Sequence, residues 1–360
     1  VNGIMSWAYE EEFGIRDGFR WSPDGQRIAF WRFDTAGVRD FLIIDNTTEL
    51  YPDITRIPYP KVGETVSAAS IGIVSLDADP ATTEDATTTE DTTTTEKDDY
   101  SGTVWVQTPG DPRQHYIPRM QWAAASDTVL LQQVNRRQNR NQLFLADATS
   151  GAVTPLLLDE DAAHLDDFHD VEWLAGGDAF TFISERSGWR HVHRVSRDGK
   201  KIVDLTPGAY DVASLVAVDE EANALYFTAS PDDMGARYLY RASLDGTGTA
   251  RRITPASFTG DNGYDVAKDG RHAIHRHSRL MQPPQHRLVS LPDHEVLQVL
   301  EDNDALTERL DALSPVDVEF FRVAARDGLE MDAFMMRPAD FDPSASYPLL
   351  VYVYGEVAGQ

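Results

Sequence analysis

The sequence predicts a mainly β protein: a β-propeller followed by the opening strands of an α/β domain. Three observations carry that prediction. First, residues 20 to 315 hold a loose repeat in which Trp21, Trp122, Trp173, Val218 and Val266 occupy similar places, the last four spaced 51, 45 and 48 residues apart. A period of about 40–50 residues with four short strands per unit is the signature of propeller blades. Second, alternating stretches such as Ala179-Phe180-Thr181-Phe182-Ile183 and Ala224-Leu225-Tyr226-Phe227-Thr228 are separated by tight polar turns. Third, Tyr347 to Gly355 is a continuous apolar run. Such a run reads as a strand buried on both faces of an α/β sheet.

Taken in order, the chain opens on Trp7-Ala8-Tyr9-Glu10-Glu11-Glu12. Three adjacent carboxylates repel one another and need open solvent or a cation. On a helical turn Glu11 and Glu12 lie about 100° apart and can converge on one ligand. A primary ammonium, with three donors to share, suits such a pair. The run equally fits a solvated helix start, where acids complement the dipole. Arg16-Asp17-Gly18-Phe19-Arg20-Trp21 then leads through Ser22-Pro23-Asp24-Gly25 into the strand Ile28-Ala29-Phe30-Trp31. Pro second and Gly fourth suit a type I turn. Asp-Gly recurs in Arg197-Asp198-Gly199-Lys200, Leu244-Asp245-Gly246 and Lys268-Asp269-Gly270, as hairpins favour.

The first unit is the longest, for two reasons. Tyr51 to Ala69 reads as an extended excursion, since Pro52, Pro58 and Pro60 oppose helix. Asp79 to Asp99 has no large apolar residue and is expected to form a disordered acidic loop. Its acids lack the order and the glycine of a calcium loop. His272, His275 and His277 resemble a metal cluster, but Arg271, Arg276 and Arg279 would repel a cation. These histidines read as structural, as do His191 and His193. No metal site is expected. Near the end, Phe320 to Met336 reads as two strands around Arg326-Asp327-Gly328.

Three words stand in order: W-x-Y-E-E-E at Trp7–Glu12, R-D-G-F-R-W-S-P-D-G at Arg16–Gly25, and Y-P-K-x-G-E at Tyr59–Glu64. Together they closely resemble the dipeptidyl peptidase IV family, serine exopeptidases related to prolyl oligopeptidase. The resemblance implies an N-terminal propeller of that family's type, here an incomplete ring, joined to an α/β-hydrolase domain. It implies that Glu11 and Glu12 hold the substrate's N-terminal ammonium, with Glu10 as the non-binding first acid. It also implies that Tyr354 helps form an oxyanion hole, although Gly355-Glu356-Val357 departs from the family's Gly-Gly-Pro. The excursion after Tyr51 would help subunits pair into a homodimer. Asp166-Asp167-Phe168-His169-Asp170 falls where animal members carry a pocket loop with Phe and Arg side chains, wording that is missing here. The implied reaction is release of Xaa-Pro or Xaa-Ala dipeptides from free peptide N-termini, with no cofactor. The implied location is periplasmic or extracellular.

Composition narrows the alternatives. Thirty-two basic against 59 acidic residues give a net charge of −27, which opposes nucleic-acid binding. No apolar run reaches the 18 or so residues of a membrane span. There are no cysteines, so neither disulfides nor thiol catalysis arise. The sequence contains no G-x-S-x-G elbow, the setting a hydrolase of this type needs for its serine. The first motif also comes early. The chain therefore reads as a piece of a longer protein, with a propeller over residues 1–315 and the start of a hydrolase domain over residues 316–360. By itself it is expected to be inactive. A non-catalytic propeller that binds peptides or proteins is the competing reading. An endopeptidase or acylaminoacyl peptidase is disfavoured, because an internal peptide has no ammonium for the glutamate pair.

Overall fold

The computed structural model describes residues 2–76, 102–165, 168–233, 235–313, 316–326 and 328–353. The acidic stretch Asp79–Asp99, Asp166, Asp167 and Tyr354 lie outside them. Two compact units are formed, Val1–Phe182 with Val195–Lys201, and Ile183–Arg194 with Ile202–Gln360.

After a short helix, α1 (Trp7–Phe13), come β1 (Phe19–Trp21), β2 (Arg27–Asp34), β3 (Asp40–Asp45), β4 (Asp53–Pro58), β5 (Ala68–Ser75) and β6 (Val104–Trp105). β1, β2, β5 and β6 form a four-stranded sheet in that order, while β3 and β4 pair only with each other. The excursion is therefore a complete hairpin that leaves the sheet after β2. Its first strand, Asp-Phe-Leu-Ile-Ile-Asp, lies ahead of the Tyr51 start that the prolines mark.

Four further sheets repeat the meander. They are β7 (His115–Trp122) to β10 (Val153–Glu160) through β8 (Thr128–Asn135) and β9 (Arg140–Asp147); β11 (Glu172–Trp173), β12 (Ala179–Ser184), β13 (His191–Ser196) and β14 (Ile202–Asp204); β15 (Val212–Asp219), β16 (Ala224–Ala229), β17 (Tyr238–Ser243) and β18 (Arg251–Arg252); and β19 (Asp261–Val266), β20 (His272–Arg279), β21 (Gln282–Ser290) and β22 (Val296–Glu301). Trp21, Trp122, Trp173 and Val266 each end the first strand of a sheet, and Val218 falls one residue short of such an end. The repeat read from the sequence is thus the blade repeat of a propeller.

Within each unit neighbouring sheets stack face to face, which explains the apolar character of strands such as β2, β8 and β16. In the first unit, Trp31 and Phe33 of β2 pack with Ile71, Ile117, Met120 and Leu131. The opposite face of β8 brings Leu130 against Phe180 and Phe182. In the second unit β16 is buried at all six residues. Leu225 and Phe227 join a cluster with Val192 and Leu205, while Tyr226 faces Ala273 and Val289. Alternation sends successive side chains to opposite faces, and each face meets a neighbouring sheet.

The Asp-Gly turns share one device. Gly25, Gly199, Gly246 and Gly270 have φ of 69°, 71°, 76° and 65°, values that favour glycine. In the first three the aspartate accepts from a serine two residues earlier, as in Ser22 Oγ to Asp24 Oδ1 at 2.6 Å. Those bonds hold the carboxyls of Asp24 and Asp198 below their ordinary range, and Asp245 is held down first by the Thr247 hydroxyl and then by Ser243.

The C-terminal region differs from the blades. After α2 (Asp304–Asp311), β23 (Asp317–Ala324) and β24 (Glu330–Arg337) form the expected hairpin, with Phe320 opposite Phe334. The sequence predicts a buried strand over Tyr347 to Gly355, of which Tyr347–Val353 is described. It carries no strand, and Leu350 is 93% exposed. An apolar strand needs partners on its edges and cover on its faces, and the described residues supply neither. No helix among the described residues is long and apolar enough to cross a membrane.

Candidate substrate-anchoring site

Residues Asn2 to Phe13 are fixed from below. The Gly3 N–H donates to the Trp31 carbonyl at 2.8 Å, and the Trp31 N–H to the Gly18 carbonyl at 3.0 Å. Here Gly18 meets Gly3 so closely that a Cβ would lie 2.1 Å from the Gly3 carbonyl oxygen. Glycine is required there by contact, not by dihedral angle. α1 then runs for seven residues and stops at Gly14, whose φ of 63° is left-handed. The Ile15 N–H closes the end on the Tyr9 carbonyl at 3.2 Å.

Two aromatic side chains orient the helix. Tyr9 and Phe13, one turn apart, are 1% and 8% exposed. Tyr9 packs on Phe33 with ring centroids 4.5 Å apart, and its hydroxyl accepts the Ile117 N–H at 2.9 Å. Burial pushes that hydroxyl's pKa up. With this face inward, helical geometry turns Glu11 about 180° away from the core and sets Glu10 and Glu12 on its flanks. All three are exposed. Among the described residues neither the Glu11 nor the Glu12 side chain has an ion pair or a hydrogen bond.

Arg119 of β7 tightens the other end. Its guanidinium donates to the Phe13 carbonyl at 3.0 Å and to the Pro118 carbonyl at 2.7 Å. A cation at a helix C-terminus satisfies carbonyls that have no helical partner. Burial draws the Arg119 pKa down, nearby Asp170 opposes this, and Arg20 adds to it. Arg20 itself pairs with Asp17 at 2.6 Å and lies over the Trp31 ring. Sequence reading missed Arg119. The available signal was a lone Arg in the otherwise apolar alternation of Tyr116-Ile117-Pro118-Arg119-Met120.

The structure also brings Phe168 to the site. It is buried edge-on against Phe13, with centroids 6.0 Å apart. Glutamines of neighbouring strands hold this segment. Gln132 Nε2 donates to the His169 carbonyl at 2.6 Å, and Gln121 exchanges two bonds with Val171 at 2.7 and 2.8 Å. Of the remaining histidines, His191, His275 and His277 have hydrogen-bond partners within the fold. His275 bonds Asn262 at 2.8 Å and His277 the Thr259 carbonyl at 2.7 Å, while His191 contacts Ser187 and Asp204. Among the described residues no three His, Asp or Glu side chains form a group that could hold a metal ion.

Stacked four-stranded antiparallel sheets with a short acidic helix fixed on the first define a β-propeller that presents an anionic pair. Residues 1–284 match the family described as the dipeptidyl peptidase IV (DPP IV) N-terminal region, and the chain belongs to that family. The whole chain aligns with the dipeptidyl peptidase 4 of Trichophyton rubrum at 26% identity, and with that of Arthroderma otae at 25%. It spans 45% of the length of each, about half of these relatives. The crystal structure of Porphyromonas gingivalis dipeptidyl peptidase 4 superposes with a TM-score of 0.84 at 26% identity, covering 97% of this chain and 46% of that one. A Bacteroides ovatus structure shares the fold, with a TM-score of 0.77 at 21% identity.

Proposed function

We propose that this chain is the substrate-selecting part of a dipeptidyl peptidase IV-like serine exopeptidase. The parent enzyme would release Xaa-Pro or Xaa-Ala dipeptides from peptide N-termini without a metal or organic cofactor. The observation that carries this is the exposed Glu11–Glu12 pair on a helix whose opposite face is locked by Tyr9 and Phe13. A peptide's α-amino group, with an unperturbed pKa of about 8, is mostly cationic at neutral pH. Two carboxylates about 100° apart on a fixed turn can share its three donors. Two extended residues span at most roughly 7 Å, so a nucleophile held that far away cuts after the second residue.

Tyr354 would add an oxyanion donor. The serine, aspartate and histidine of the reaction would come from outside these 360 residues, and the chain alone would be inactive. The hairpin β3–β4 would pair with a second copy. The family match over residues 1–284 and the alignment with dipeptidyl peptidase 4 relatives support the peptidase reading. The experiment is to incubate the full-length protein with Xaa-Pro-initiated peptides and identify products by mass spectrometry. Release of N-terminal dipeptides, blocked by a serine-directed phosphonate, is expected. Internal cleavage, or no cleavage by folded full-length protein, would overturn the proposal.

A further inference from the structure

The hairpin β3–β4 touches the acidic helix through aromatic rings. Tyr59 follows β4 directly, and its N–H donates to the Arg39 carbonyl at 3.0 Å, which extends the ladder beyond the Asp40–Pro58 pair. Its ring lies 4.2 Å from that of Trp7, centroid to centroid, and 5.6 Å from that of Phe41. Trp7 stands four residues before Glu11, so the two share a helix face. Beyond this base the hairpin is exposed on both faces, including Leu42, Ile43, Ile44 and Ile54. Its stalk is clamped by Arg113, which pairs with Asp34 at 2.7 Å and donates to the Val66 carbonyl at 2.8 Å.

We infer that the Trp7–Tyr59–Phe41 stack is a positioning device that sets the orientation of Glu11 from the hairpin. This rests on the reading of Glu11 as an ammonium anchor. Tyr9 and Phe13 fix the inner face of α1, but among the described residues the acidic side chains of the outer face have no hydrogen bond or ion pair. The Trp7 indole, wedged against Tyr59, fixes the rotation of the first turn about the helix axis. Tyr59 touches no substrate in this scheme; it acts through Trp7. Without its ring, Glu11 samples more directions and binds an ammonium less well, while the reacting atoms are unaffected. The signature is a raised KM with a nearly unchanged kcat.

The test uses full-length protein and Gly-Pro-p-nitroanilide. Tyr59→Ala is expected to raise KM about 2- to 10-fold, the range of a lost aromatic pair, with kcat within about twofold. Tyr59→Phe keeps the ring and is expected to restore the wild-type KM. In a Glu11→Gln background Tyr59→Ala should have little further effect, because it acts through that carboxylate. An unchanged KM in folded Tyr59→Ala protein would overturn the inference. So would full additivity with Glu11→Gln, which would mean a general loss of structure or of subunit pairing. If wild-type protein is active but Glu11→Gln is harmless, the anchor reading itself fails. That result is distinct from an effective Glu11→Gln beside a silent Tyr59→Ala.

Discussion

Lowering the pH should loosen the fifth sheet, and one imidazole dominates the effect. His275 on β20 is fully buried, stacked 4.6 Å from Tyr264 and edge-on to His294 at 4.8 Å. Phe258, His277, Arg287 and the hydrogen-bonded Asn262 also surround it, and among the described residues Nδ1 has no hydrogen-bond partner. Burial, with the neighbouring His294, His277 and Arg287, lowers its pKa from 6.5 to about 3. The unfolded chain therefore binds a proton that the folded chain refuses between those values, so stability falls as pH drops through 6.5. At pH 5 the difference is about 1.5 pKa units, or roughly 2 kcal/mol. His294, also lowered by burial, acts in the same direction. Hydrogen exchange of peptides covering β19 to β21, corrected for intrinsic rates, reads this locally. Protection should fall about 30-fold between neutral pH and pH 5. In His275→Gln, which keeps a donor for Asn262 but cannot titrate in this range, most of that fall should vanish. Equal protection at both pH values, or an undiminished fall in the variant, would refute the reasoning.

Three further outcomes follow from the helix and its supports. Tyr9→Phe leaves the buried Ile117 N–H without its acceptor and should cost about 1–3 kcal/mol, measured by denaturant unfolding. Gly18→Ala must displace the Gly3 backbone and should cost about 1–3 kcal/mol, with faster proteolysis near residue 3; wild-type stability would contradict the close approach. Arg119→Met keeps the aliphatic stem but removes a charge-assisted donor from the Phe13 carbonyl, at about 1.5–3 kcal/mol; a loss below 0.5 kcal/mol or so would show that solvent replaces the bond.

Much of this fold was legible because its signals are local. Trp21, Trp122 and Trp173 mark strand ends within their own units, and each Asp-Gly turn is set by a few adjacent residues. The acid run and its turn were legible for the same reason. Pairing decided at a distance was not legible. The prolines mark the excursion only from Tyr51, and the register of Asp40–Asp45 with Asp53–Pro58 is what makes it a hairpin. The Tyr59 ring meets Trp7 across 52 residues of sequence, and Arg119 reaches the Phe13 carbonyl across 106. Nothing in the local pattern encodes either meeting. Leu349 to Val353 failed in the opposite sense, since local apolarity signals a strand but cannot supply its neighbours.

The most direct measurement compares kcat/KM of the full-length protein for Gly-Pro-p-nitroanilide and for its N-acetylated form. If Glu11 and Glu12 hold the ammonium, acetylation removes their ligand. The free substrate should then be preferred by roughly tenfold to more than a hundredfold, the worth of about 1.5–3 kcal/mol in charge-assisted contact. Glu11→Ala and Glu12→Ala should each erode that preference by slowing the free substrate alone. Equal turnover of both substrates by the wild-type protein would contradict the assignment of the two glutamates.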